Sequence, residues 1–415
     1  MSPTLRTTDA TLHSFVPLVR HCPLCQCTMG YSLVRIEFEP AVDDLLPNDF
    51  SVVLCAHCQF CFDDISASQP LIDQYYQGLE KYAHAQTGGS GGSEPIDLKR
   101  WERITSLLSP YLKHSSRILD LGSGKGGLLR TLRQLGYPHV VAVEPSASCR
   151  AVLAQQDILA YADMEDALAH GEQFDCILCC QVLEHIYDLA GFMQKMKNLC
   201  RPGALLYADV PDASCYVLNS VAAYYYFDRE HINHFTQASL QRLCAIPPSA
   251  WSLLSFAHYE ETAIAEGKKN HGLSILCSAT PLLSPATHTD DPDAVSLIDY
   301  CQHSSQADDY SALSDMRSEA VFLWGLGYYL RRLLHKGVFK HLPVKGIIDR
   351  DKGDQGLTFA GLPIYSQTVL NTYPQNQSCV IITSVLYADA IRHSLLSSGY
   401  TGAILDITKG SVHHA

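Results

Sequence analysis

A strand, a glycine turn and a helix follow one another without a break at Arg117-Ile-Leu-Asp120-Leu-Gly122-Ser-Gly124-Lys-Gly126-Gly-Leu-Leu-Arg130. Glycines permit positive φ and let a ligand come close to the backbone, and open parallel sheets bind ligands outside such strand ends. The spacing is not the GxGxxG of dinucleotide binders, and Lys125 precedes a glycine where a phosphate loop has Ser or Thr. From about Ile96 onward, Arg117–Leu121 and the further apolar runs Val140–Val143, Phe174–Cys179 and Ala204–Val210 alternate with amphipathic stretches. This pattern predicts a parallel sheet with helices on both faces.

The chain has 415 residues, whereas a single core seldom grows past roughly 250, so two or three domains are expected. Residues 1–94 form a first block with short strand-like runs at Tyr31–Phe38 and Phe50–Leu54. The segment from Thr87 to Ser93, TGGSGGS, reads as a linker or a mobile lid. A central block spans 95–285, and the proline-rich stretch Pro281–Pro292 marks its end. The last block, 286–415, alternates again: a helical stretch from about Ala294 to Ala320, a strand at Val321–Trp324, the helix-like YYLRRLLHKG, a strand at Gly346–Asp349, and VIITS.

Six of the 16 cysteines fall in the first 61 residues. Cys22-Pro-Leu-Cys25 and Cys55-Ala-His-Cys58 are two CxxC pairs, each able to place two thiolates on one tetrahedral ion, and zinc is the natural candidate. Cys27 and Cys61 crowd the same segments and leave the register open. Four thiolates make a closed site, hence a structural one. The formal charge is −13, and residues 1–94 hold 4 Lys and Arg against 11 Asp and Glu. Such a surface repels phosphate backbones, so nucleic acid is not an expected partner. No apolar run approaches the roughly 18 residues of a membrane helix, and the start lacks the plan of a signal peptide; a soluble, cytoplasmic protein is expected.

The run LDLGSGKG, comprising Asp120, Gly122, Gly124 and Gly126, resembles the first motif of the Rossmann-like S-adenosylmethionine (SAM) methyltransferases, in which the loop passes beside the methionine part of the cofactor. Glu144 ends the next strand, where such a sheet needs a carboxylate for the ribose hydroxyls. Asp163 is similar to the acid that family uses at the adenine amino group, with Met164 beside the ring; capping a helix is the alternative for this aspartate. Gln181, Glu184 and His185 follow a buried strand, as in the "LEH" segment of small-molecule methyltransferases.

Aromatics at Tyr224–Phe227 lead into Asp228-Arg229-Glu230-His231, which in isolation reads as a solvated charged turn. The order of CxxC pairs, SAM motifs, EHxxHF and a C-terminal α/β block resembles the three-domain C-methyltransferases that act on nucleotide-linked 4-keto sugars. Asp349, Lys352, Gly356, Gly361, Pro363 and Ile364 match that family's C-terminal segment. The resemblance implies a Rossmann-like methyltransferase core, an N-terminal β-rich zinc module, and a C-terminal Rossmann-like domain walling the acceptor cleft. By the same resemblance His231 is the base beside a ketone and Glu230 its orienter, with His185 or Tyr82 as oxyanion partner. Where the sugar enzymes show "YHEH", this chain has Asp228-Arg229 before the pair, and His234 replaces a tyrosine. Leu326 and Tyr328–Tyr329 likewise replace small and basic residues in the third block's glycine turn. An O- or N-methyltransferase of a specialised metabolite is the alternative, and an RNA methyltransferase the less favoured one. Oligomeric state is not legible.

Overall fold

The computed structural model describes residues 14–42, 44–77, 95–218, 222–248, 250–262, 269–280, 291–408 and 413–414. The Thr87–Ser93 segment, Tyr82 and most of the Pro281–Pro292 stretch lie outside them. Among the described residues, no helix is long and apolar enough to cross a membrane.

Strand β3 (Asp49–Cys55) shows how the first block folds. Its Phe50, Val52 and Leu54 enter one hydrophobic cluster, while Val53 and Cys55 enter another. Successive strand residues face opposite sides, so this sheet is covered on both. It runs β1 (Phe15–Pro17), β2 (Met29–Glu37), β3, β4 (Cys61–Asp64), all antiparallel neighbours. A fifth strand comes from far along the chain: β10 (Asn233–His234) pairs antiparallel with β4. One face shares its cluster with Phe235, Leu240 and Leu243, the other with Tyr216, Leu297 and Tyr300. The first sheet is therefore built and buried by residues of all three sequence blocks.

The central sheet contains β5 (Ile118–Leu121), β6 (Val140–Val143), β7 (Leu159–Tyr161), β8 (Phe174–Cys180), β9 (Cys200–Pro211), β11 (Ser252–Thr262) and β12 (Lys269–Ser278), in the order β11-β12-β9-β8-β5-β6-β7. Strands β5 to β9 are parallel, and β12 is antiparallel to both neighbours. Leu119, Ile177 and Ala208 face one cluster, while Ile118, Leu178 and Tyr207 face the other. Burial on both faces explains why these strands read as unbroken apolar runs.

A third sheet contains β13 (Ala320–Trp324), β14 (Val344–Ile348), β16 (Leu362–Tyr365), β17 (Ser378–Ile382) and β18 (Ala403–Asp406), all parallel, with short antiparallel strands at its two edges. The helix expected to run to Ala320 stops at Ala307. Asp308, just beyond it, pairs with the buried Arg332 at 2.9 Å, and the chain turns into a short 3-10 stretch at Ser311–Asp315. The second and third sheets are α/β, the central one Rossmann-like, and the first is an antiparallel β sheet.

Candidate functional site

Four parallel strands end side by side in the order β8-β5-β6-β7, and most sequence-predicted cofactor residues sit at those ends. Gly122, Gly124 and Gly126 all take positive φ. At Gly122 a β-carbon would lie 2.8 Å from Val182, so glycine there lets the loop close against the turn after β8. Glu144, 6% exposed, reaches back across the loop: Oε2 accepts from the Gly124 amide at 2.7 Å and Oε1 from the Ser146 amide at 2.8 Å. Burial raises its pKa, while those amides and Arg150 oppose the shift. Asp120, on the strand below, is held well above the usual carboxylate range by burial, with Glu144 and Asp209 adding to the effect.

Gln181 takes φ of 54°, a left-handed conformation uncommon outside glycine, at the turn from β8. Its amide donates to the Asp209 carbonyl at 2.9 Å, and its Nε2 donates to the Asp209 carboxylate at 3.2 Å. Asp163 is exposed and caps the helix Met164–Ala169, accepting from the Asp166 amide at 2.7 Å. Met164 is buried in the core below.

The histidines meet next to this loop. His185 lies on the 3-10 turn Leu183–His185, three residues past Val182, and its ring stands 4.8 Å from that of His231. Asp228 Oδ1 accepts from the amides of Glu230 and His231 at 2.8 and 2.7 Å, which shapes the segment. Arg229 is buried and bonded to Asp44, Asn48 and the Leu46 carbonyl, so this is not the solvated turn that its composition suggests.

Several residues here escape motif reading. Tyr76 Oη lies 2.7 Å from His185 Nδ1 and donates to the Glu230 carbonyl at 3.0 Å. The two-tyrosine end of the helix Gln69–Gln77, six residues before Tyr82, is the only hint of it. Buried Arg20 donates to the carbonyls of Ile186, Tyr187 and Ile232, tying both histidine segments to the first sheet. From the third block Tyr328 touches Tyr75, and Arg331 pairs with Asp44. His234 is fully buried, with Nε2 3.2 Å from Asp63. Burial lowers its pKa to about 3, so it belongs to the packing of β10 rather than to an open site. Asp349 accepts from the amides of Leu326, Asp351 and Lys352 and organises the turn after β14.

Cys22, Cys25, Cys55 and Cys58 converge, with all four Sγ within 4.8 Å of one another, 3.6 Å for Cys22 to Cys58 and 3.4 Å for Cys25 to Cys55. Tetrahedral zinc with bonds of about 2.3 Å sets its sulfurs about 3.8 Å apart, so the set is compatible with zinc. Cys27 instead points to the Met29 carbonyl, and Cys61 is buried in the opposite cluster.

The methyltransferase domain family matches residues 96–245. The ubiquinone biosynthesis O-methyltransferase of Chelativorans sp. (strain BNC1) is 36% identical over 98 residues, which are 22% of this chain and 38% of that protein. The enzyme of the same name from Dinoroseobacter shibae is 33% identical over 106 residues, 24% of this chain and 43% of that protein. The match thus spans well under two thirds of these relatives. Among solved structures, a SAM-dependent methyltransferase from Methanosarcina mazei is similar at 18% identity and a TM-score of 0.33, covering 41% of this chain and 96% of that one. The glycine turn, the acid closing the next strand and the doubly covered parallel sheet belong to a methyltransferase domain in the middle of this chain.

Proposed function

We propose that the protein is a SAM-dependent methyltransferase of a small-molecule acceptor, and that it methylates carbon next to a ketone of a nucleotide-linked sugar or a related metabolite. The observation that carries this reading is the His185–His231 ring pair, held 4.8 Å apart beside the glycine loop and anchored by Arg20 and Tyr76. SAM, when bound, supplies an electrophilic methyl group. Asp120, the three glycines, Glu144 and Gln181 are the residues to hold it, with Asp163 and Met164 toward the adenine. His231 takes the proton from carbon, Glu230 orients it, and His185 or Tyr82 steadies the oxyanion. Domains at 1–94, 95–285 and 286–415 fit this reading, the first holding structural zinc on the four cysteines and the third contributing a wall of the acceptor cleft. The names of the curated relatives favour a second reading, methylation at oxygen, with His231 deprotonating a hydroxyl.

The deciding experiment is solvent-deuterium exchange into a panel of nucleotide-linked 4-keto sugars and simpler ketones, using enzyme loaded with S-adenosylhomocysteine. Exchange beside the ketone is expected. Silence across the panel, alongside methyl transfer to a hydroxyl acceptor, would replace carbon with oxygen.

Glu144→Ala is expected to weaken S-adenosylhomocysteine binding by about 100-fold or more. Hydrogen bonds to a charged group are worth about 1.5–3 kcal/mol each, and each 1.4 kcal/mol is tenfold. Calorimetric titration measures it, and an unchanged affinity would remove Glu144 from the cofactor site.

A further inference from the structure

Glu184 is a carboxyl group beside the histidine pair that the proposed reaction leaves without a task. It is 1% exposed, and among the described residues neither Oε1 nor Oε2 has a hydrogen-bond partner. A buried carboxylate without donors is costly, and those that stay buried are paired or hold a cation. Asp209 and Asp228 add negative charge around it, while Arg100 is committed to Glu261.

His185 Nε2 lies 3.9 Å from Glu184 Oε1, and one ligating atom from each of Glu184, His185 and His231 lies within 4.8 Å of the other two. Two atoms bound to one ion at about 2.1 Å stand at most about 4.2 Å apart. Glu184 and His185 already meet that limit, and the partly buried His231 has to close by no more than about 0.6 Å. The other side of the His185 ring is braced, with Nδ1 2.7 Å from Tyr76 Oη and 2.8 Å from the Glu230 carbonyl. An ion on Nε2 leaves the ring hydrogen on Nδ1, where that carbonyl accepts it, whichever nitrogen carried it beforehand. Contacts of this kind orient metal-bound imidazoles. Two imidazole nitrogens and one carboxylate oxygen suit Zn²⁺, Co²⁺, Ni²⁺ or Fe²⁺ rather than Mg²⁺ or Ca²⁺, which prefer oxygen throughout.

We propose that Glu184, His185 and His231 bind one divalent transition-metal ion, at a second site that shares no residue with the four cysteines. Three ligands hold an ion less firmly than four thiolates, so dialysis is expected to empty this site and leave the structural zinc in place. With its lone pair on the ion, His231 has none with which to take a proton. Ion binding and proton abstraction from the acceptor therefore exclude one another; that consequence rests on the function proposed above, whereas the binding itself does not.

The test is a titration of the full-length, zinc-containing protein with Co²⁺, followed by the visible spectrum of the bound ion and by ring-nitrogen NMR of labelled histidines. One Co²⁺ per chain is expected beyond the retained zinc, without a thiolate-to-cobalt band, and with paramagnetic loss of the His185 and His231 signals, assigned from His185→Gln and His231→Gln. Glu184→Gln should weaken binding by more than the roughly 10- to 100-fold that losing only a supporting contact costs. Its S-adenosylhomocysteine affinity and melting temperature check that it folds; if it does not, His231→Gln, which replaces a partly buried side chain, carries the same comparison. Equal Co²⁺ affinity in wild type and the folded variant overturns the proposal, and so does a thiolate band that places the ion on cysteines. The binding needs no acceptor: with the wrong acceptor class Co²⁺ still binds while deuterium exchange is silent, and with exchange observed but no Co²⁺ bound the site alone fails.

Discussion

His231→Ala is expected to lower methyl transfer by about 10²–10⁴-fold, the usual contribution of a positioned acid–base group, while SAM affinity stays within about twofold. The two effects separate because the proposed cofactor residues sit at the ends of β5, β6, β7 and β8, whereas His231 arrives on a segment shaped by Asp228 and fastened by Arg229. Removing an imidazole that is only partly buried leaves those anchors in place. Single-turnover methylation with calorimetric measurement of cofactor binding tests both halves. Activity within threefold of wild type would remove His231 from the chemistry. Loss of cofactor binding would show that it acts through the pocket instead.

The second large effect concerns the four cysteines. Cys55→Ser, or stripping the metal with a strong chelator, is expected to unfold the first sheet and abolish turnover. Structural zinc in small modules contributes about 10–16 kcal/mol of apparent binding energy, as much as a whole domain's usual stability. Cys55 also lies in the hydrophobic cluster shared with the central sheet, so the damage reaches the glycine-loop side of the molecule. Elemental analysis should find one zinc per chain, and thermal melting of wild type and Cys55→Ser reads the stability. Equal melting temperatures, or a zinc-free protein that is fully folded, would refute the structural role.

Much of this was legible because it is local. The strands at 118–121, 140–143 and 174–180 read from continuous apolar runs, and the glycine loop and CxxC pairs from spacing alone. What escaped has no local signature. A two-residue strand such as β10 has no period to detect, and its partner lies far back in the chain at Cys61 and Phe62. Arg20 is one of four scattered basic residues in an acidic block until the fold sets it against carbonyls more than 160 residues away. Asp228-Arg229 looked solvated because composition cannot show that Asp44 and Leu46 enclose the guanidinium. Asp163 illustrates the opposite limit: a carboxylate at a strand-to-helix turn suits an adenine contact or a cap equally, and its cap bond occupies only Oδ1.

The late arrival of β10 bears on how the protein is made. At about 5–20 residues per second, the ribosome delivers Asn233 on the order of ten seconds after β4 has emerged. Through that interval β4 offers the nascent sheet an unpaired edge, and unpaired edges invite pairing with other chains. The four clustered cysteines all lie between residues 22 and 58 and emerge much earlier, so an ion captured there would stabilise the half-built sheet while its last strand is still being synthesised. Cells short of zinc should therefore accumulate this protein as aggregate rather than as inactive monomer.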